Sequence, residues 1–150
     1  MIASLKDQLI RDEELRQKPY LDCCGRYWRD CTCLKKGKLT AGVGRNLDDV
    51  GFSLQEIYVL LTNDINAATV AVEANFPWAM ELDDVRKGAM VNLTFNLGVR
   101  GLSGFAKFLA AMKSGDWKTA KEELIDSAAD HEEPARISRL ALQIESGFWQ

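Results

Sequence analysis

Glu13-Glu14-Leu15-Arg16-Gln17-Lys18-Pro19-Tyr20-Leu21-Asp22 is the stretch at which this chain changes character. Upstream of it, Ile2, Leu5 and Leu9 recur at helical spacing and predict a first helix ending near Arg11 or Asp12. Downstream, from Tyr20 to Gly44, aromatics, cysteines and charges follow one another with no helical period. Gly25, Gly37, Gly42 and Gly44 punctuate that segment, which predicts a small β-hairpin or three-strand ribbon with loops.

Beyond the ribbon the pattern returns to helix. Ser53 and Glu56 form a capping-box sequence. Leu54, Ile57, Leu61, Ile65, Ala68 and Val72 then alternate three and four apart as far as Asn75, predicting a long helix with one buried face. Phe76-Pro77-Trp78 should end it, because proline disfavours helical geometry in the residue before it. A further helix is expected from Asp83 or Asp84, with Gly98 as its C-terminal glycine. Ser103 is expected to open another that closes at Gly115, Asp116 to cap a third, and Pro134 to stand in the first turn of a fourth. The fold class is therefore α+β. A single domain over 1–150 is expected: a ribbon lobe over about 13–52, a linking helix over about 53–75 and a helical lobe over about 76–150. A cleft between the lobes is the expected ligand site.

Composition narrows the function. With 47% hydrophobic and 27% charged residues, 150 residues can bury a core without a metal or disulfide. Nineteen basic against 22 acidic residues give a net charge of -3, unlike the basic excess of nucleic-acid-binding domains. No apolar run reaches the ~20 residues of a membrane span, and none near Met1 has signal-peptide form. A soluble chain made in the cytoplasm is expected, without stable membrane association, acting as a monomer.

The titratable residues favour carboxylate chemistry. His131 is the one histidine and lies in the polar run Asp130 to Glu133, with no nucleophile-elbow pattern to support a Ser/His/Asp hydrolase. Glu13 and Asp22 flank Tyr20 where helix gives way to ribbon. Glycoside hydrolysis needs one carboxyl held protonated for the leaving oxygen and a second ionised one to direct water or stabilise positive charge. A helix-end Glu against an apolar lobe fits the first role, and an Asp on a wet ribbon the second.

Spacing alone leaves this pair weak, but the ordered set of residues is specific. Glu13, Leu15, Arg16, Tyr20 and Asp22, followed by Thr40-Ala41-Gly42-Val43-Gly44-Arg45-Asn46-Leu47, resemble the catalytic region of the tailed-phage lysozymes of the T-even type, which act as endolysins. Arg86 through Gly98, with Asn92 and Phe95, is similar to that family's central buried helix. Gly101 to Phe105, Trp117, Pro134-Ala135-Arg136 with Arg139, and Gly147-Phe148-Trp149 follow in the family's order. The resemblance implies Glu13 as general acid, Asp22 as second carboxylate and Thr40 as the hydroxyl that positions the attacking water. It implies further that Arg136 pairs with the catalytic Glu and that Phe95 borders the cleft, while Arg45 supports the site. Adjacent helical residues point about 100° apart, so only one of Glu13 and Glu14 can serve. The resemblance selects Glu13 and puts Glu14 where relatives commonly have glycine.

The implied activity is a muramidase cutting the β-1,4 bond between N-acetylmuramic acid and N-acetylglucosamine of bacterial peptidoglycan, for host-cell lysis, with inversion at the anomeric carbon. A holin-type membrane partner would release the enzyme from the host cytoplasm to the periplasm. A lytic transglycosylase and a non-catalytic wall-binding module are the rival readings.

One segment departs from the family. Between Asp22 and Thr40, where many relatives have a short turn, stand Cys23, Cys24, Cys31 and Cys33, all the cysteines of the chain. Free thiols, paired disulfides and a four-thiolate zinc site are the three readings. Zinc ranks last on spacing, since neither Cys-Cys nor Cys-x-Cys matches the usual Cys-x2–4-Cys pairs. No cofactor and no metal are expected. Arg26, Arg29, Lys35, Lys36 and Lys38, interleaved with Tyr27 and Trp28, make this the most basic stretch of the chain. It is expected either to draw in anionic peptidoglycan or to form a solvated hairpin with Trp28 packed inward.

Overall fold

Ser53 and Glu56 close a reciprocal capping box. The Glu56 N–H donates to Ser53 Oγ at 3.3 Å, and the Ser53 N–H donates to Glu56 Oε2 at 2.7 Å. From it runs α2 (Leu54–Asn75), the longest helix of the computed structural model, which describes residues 4–128 and 133–150. Ile2 and His131 lie outside the described residues. Two compact units divide the chain, Met1–Tyr58 and Val59–Gln150.

In the first unit, α1 (Leu5–Glu13) starts at Ser4, whose side chain accepts from the Asp7 N–H. It continues past Arg11 and Asp12, so Glu13 is its last residue. Glu14 then reverses the chain at φ 61°, ψ 143°, and β1 (Leu15–Leu21) begins. β1 pairs antiparallel with β2 (Leu39–Val43), and β2 with β3 (Arg45–Asn46), in the order β1-β2-β3. The register shifts between Arg16 and Tyr20, where Pro19 has no N–H to give to the ladder. This is the three-strand form of the expected ribbon. Among the described residues of this unit only Leu21, Cys31 and Thr40 are buried.

The second unit holds the apolar core. The bend at Gly98 (φ 68°, ψ 167°) divides α3 (Asp84–Ser103), so that glycine ends a helical run as its position suggested. Asp83 caps the start, accepting from the Val85 and Arg86 N–H groups. α4 (Ala106–Ser114) ends on Gly115 in the left-handed conformation. Asp116 caps α5 (Trp117–Ser127), and Pro134 opens α6 (Pro134–Ser146). Met90, Leu93, Leu102, Phe108, Met112, Leu124 and Ile144 are fully buried between these helices. Arg86 links two of them: its Nε donates to the Ile144 carbonyl at 2.9 Å, and its guanidinium lies 4.2 Å from the Trp117 ring centroid.

Two expectations need correction. Ser103 belongs to the last turn of α3, and α4 starts three residues later with no side-chain cap at Phe105. On α2 the apolar stripe is buried only at Ala68 and Val72, while Leu54 is 71% exposed and Ile57, Leu61 and Ile65 are 40–44% exposed. Of α2 the core cluster takes in Val72, together with the following Phe76, and none of Leu54, Ile57, Leu61 or Ile65. Among the described residues no helix is long and apolar enough to cross a membrane.

Candidate functional site

The end of α1 and the turn after β2 fix Glu13. Val43 closes β2, and Gly44 turns the chain at φ 66° into β3. The Glu13 carboxylate lies against that turn: a Cβ on Gly44 would stand 2.7 Å from Glu13 Oε2. Glu13 as a whole is an exposed residue.

Asp22 and Thr40 meet through a single residue. Asp22 follows the last residue of β1; its Oδ1 accepts from the Lys38 N–H at 2.8 Å, and its own N–H donates to the Lys38 carbonyl at 3.1 Å. Thr40, paired across the ladder with Tyr20, is buried and donates from Oγ1 to the same Lys38 carbonyl at 3.2 Å. Its hydrogen is thus committed and its remaining lone pairs can accept from water. The Lys38 ammonium is held apart by Asp49 at 2.8 Å, an ion pair that raises the lysine above its ordinary value and lowers the aspartate below its own. Asp22 lies sixteen residues before Lys38, so only strand pairing brings them together, and nothing in the sequence marked Lys38 as the bridge.

Arg45 has structural partners. Its guanidinium binds Glu56 at 2.7 and 3.0 Å, Nε donates to the Gly51 carbonyl at 2.7 Å, and the Phe52 ring lies 5.8 Å away. It braces the capping box of α2 from the adjacent strand. Ser53, with Arg45 beyond it, holds the Glu56 carboxyl below the ordinary carboxylate range.

In the second unit a groove of 440 Å³ is lined by Leu61 and Ile65 of α2, Asn92 and Phe95 of α3, Arg136 of α6, and Trp149. Two of the exposed stripe residues of α2, Leu61 and Ile65, therefore form a groove wall. Trp149 folds over Gly88, where a Cβ would overlap its ring. Arg136 donates from Nε and Nη2 to Asn92 Oδ1 at 3.0 and 2.8 Å and reaches Glu133 at 3.4 Å. Phe95 is 46% exposed, a rim residue rather than core.

In the insertion, Trp28 is not packed inward. It is 41% exposed, with the Arg29 guanidinium 4.8 Å from its ring centroid and Tyr27 beside it. The four cysteines, two at 23 and 24 and two at 31 and 33, converge: their sulfurs all lie within 4.8 Å of one another. The Cys33 backbone N–H, pointing at Cys31, brings that thiol down to about 7.

Comparison with known proteins agrees with this architecture. The phage lysozyme family model matches residues 11–133. Probable T4-type lysozyme 1 of Dictyostelium discoideum is 26% identical over 167 residues, covering 98% of this chain and 96% of that protein. Probable T4-type lysozyme 2 of the same organism is 26% identical over 164 residues, with the same two shares covered. The pre-baseplate central spike protein Gp5 of Enterobacteria phage T4 is 27% identical over 161 residues, covering 96% of this chain but 28% of that larger protein.

Proposed function

The chain belongs to the phage lysozyme family and is a lysozyme-type glycoside hydrolase acting on peptidoglycan; from that premise we propose a muramidase in which Glu13 is the general acid. The bond cut is the β-1,4 link between N-acetylmuramic acid and N-acetylglucosamine. Asp22 and Thr40 position the attacking water. The observation that carries this reading is the convergence of Asp22 Oδ1, on the N–H, and Thr40 Oγ1, on the carbonyl, at the backbone of Lys38. It holds an ionisable acceptor and a hydroxyl in fixed relation, as a water-orienting pair requires.

Glu13 supplies its proton to the glycosidic oxygen as the bond to the anomeric carbon lengthens. Asp22 accepts a hydrogen from the incoming water, and the Thr40 lone pairs accept the other. Attack from the face opposite the leaving group inverts the anomeric carbon. A retaining path would place the two carboxyl groups about 5–5.5 Å apart, with Asp22 as nucleophile. Phe95 and Arg136 line the groove of the second unit and are assigned to substrate binding, Arg136 being oriented by Asn92. Arg45 supports the site through the start of α2. The biological role is host-cell lysis by a monomer, made in the host cytoplasm and released to the periplasm through a holin-type membrane partner.

The test is turbidity loss of outer-membrane-permeabilised Gram-negative cells, wild type against Glu13→Gln. The substitution keeps size and polarity but removes the proton, so the rate should fall by at least about a hundredfold. Equal rates would refute the assignment. Muropeptides released by the wild type should carry reducing ends; anhydromuramic ends would mean transglycosylation instead.

A further inference from the structure

We propose that Cys23, Cys24, Cys31 and Cys33 together bind one zinc ion as a closed four-thiolate site that staples the first unit. Sequence spacing ranked this reading last, because Cys23-Cys24 and Cys31-Thr32-Cys33 lack the usual separations. The folded chain supplies what spacing did not. Cys23 Sγ stands 3.9 Å from Cys24 Sγ and 3.7 Å from Cys31 Sγ, with all four sulfurs mutually within 4.8 Å. Thiolates about 2.3 Å from a tetrahedral zinc are about 3.8 Å from one another, so the Cys23–Cys24 and Cys23–Cys31 separations match edges of such a site, and the 4.8 Å bound on the others leaves about an ångström of closure on binding. They are far beyond a disulfide's bonded length of about 2 Å.

Backbone N–H groups close on two of the sulfurs, from Gly37 on Cys23 and from Cys33 on Cys31. Gly37 packs so closely that a Cβ there would meet the Cys23 backbone nitrogen at 2.6 Å and overlap Asp22 Oδ1. Four thiols binding Zn²⁺ release four protons and leave a cluster of net charge 2−. Arg26, Arg29, Lys35 and Lys36 supply positive charge in the same segment, and Lys36 Nζ donates to the Cys31 carbonyl at 2.8 Å.

The first unit also needs such a staple. Leu21, Cys31 and Thr40 are its only buried residues among those described, and so few cannot form a core. Small units of this kind are commonly held by metals or disulfides. With four protein ligands no coordination position is left for substrate or water, so the site is structural. Its place links it to Asp22, since Cys23 is the next residue and Gly37 packs on both. Losing the metal should loosen the loop that carries Asp22.

The full chain, purified without chelators, should contain one zinc per molecule by elemental analysis. A thiol-blocking mercurial should release it, as read with a colorimetric zinc indicator. Cobalt substitution should give the intense visible bands and thiolate charge-transfer absorption of a tetrahedral four-sulfur site. Zinc removal should lower the melting temperature. Cys31→Ser and Cys24→Ser should each lose the metal; should either fail to fold, the wild-type stoichiometry and cobalt spectrum still decide. Four freely alkylated thiols without zinc, an intact mass short of four hydrogens from two disulfides, or iron in place of zinc would each overturn the proposal. Glu13→Gln should carry zinc as the wild type does, which keeps this outcome separate from that of the muramidase reading.

Discussion

The carboxylate of Glu13 lies directly against Gly44, where a Cβ would stand 2.7 Å from Oε2 and 3.2 Å from Cδ. Gly44 also holds φ 66°, a left-handed backbone angle that side chains other than glycine resist. The absence of a side chain at residue 44 thus sets both the turn and the place of the proposed acid.

Gly44→Ala should therefore damage catalysis more than folding. The backbone term costs about 1–2 kcal/mol. Shifting the acid by even an ångström is expected to slow turnover by about a hundredfold. Lysis rates set beside thermal melts of the same preparations check this. A rate loss no larger than the unfolded fraction would mean that Gly44 does not position Glu13.

Glu14→Gly should stabilise the protein. Glu14 is the one residue other than glycine with positive φ among those described, at 61° with ψ 143°. Relief of that strain is worth about 1–3 kcal/mol, and the added freedom of glycine in the unfolded chain takes back part of it. The pair it gives up, Glu14 with Arg16 at 3.2 Å, is solvent-exposed and contributes little. A net gain of about 1 kcal/mol is expected in urea melts, with none from Glu14→Ala, which keeps the strain. Equal behaviour of the two variants would rule out a backbone cause.

Glu56 should contribute to loss of stability in acid. Its folded-state pKa lies below the ordinary glutamate value, through the Ser53 N–H and hydroxyl and then Arg45. A lowered pKa means stability that is complete above the ordinary value and lost as pH falls through the folded one. The gap between wild type and Glu56→Gln should be widest at neutral pH and close with acidification. Asp49, Asp83 and Asp116 are lowered too and shape the same acid limb in both proteins, so the difference isolates Glu56. A gap constant with pH would remove Glu56 from that limb.

Much of the fold was legible because helix ends carry local signals. Asp83, Asp116, Ser53, Pro134, Gly98 and Gly115 act on backbone groups within a few residues, and each takes the role its position suggested. The apolar stripe of α2 was misleading for the opposite reason. Periodicity tells which residues share a face, but not whether anything packs on it; Val72 found the core and Leu61 a groove.

The sequence by itself determined the α+β class, the helix boundaries to within a few residues, the family and the identity of Glu13, Asp22 and Thr40 as candidates. Tertiary structure alone decided how those candidates are held. Glu13 rests on Gly44, thirty-one residues away, and Asp22 joins Thr40 through Lys38. Four cysteines with unpromising spacing converge on one point. Caps and turns act through neighbouring peptide groups, so short stretches of sequence encode them. These other relations arise only when strand pairing closes loops, and no residue spacing records where a closed loop will bring its side chains.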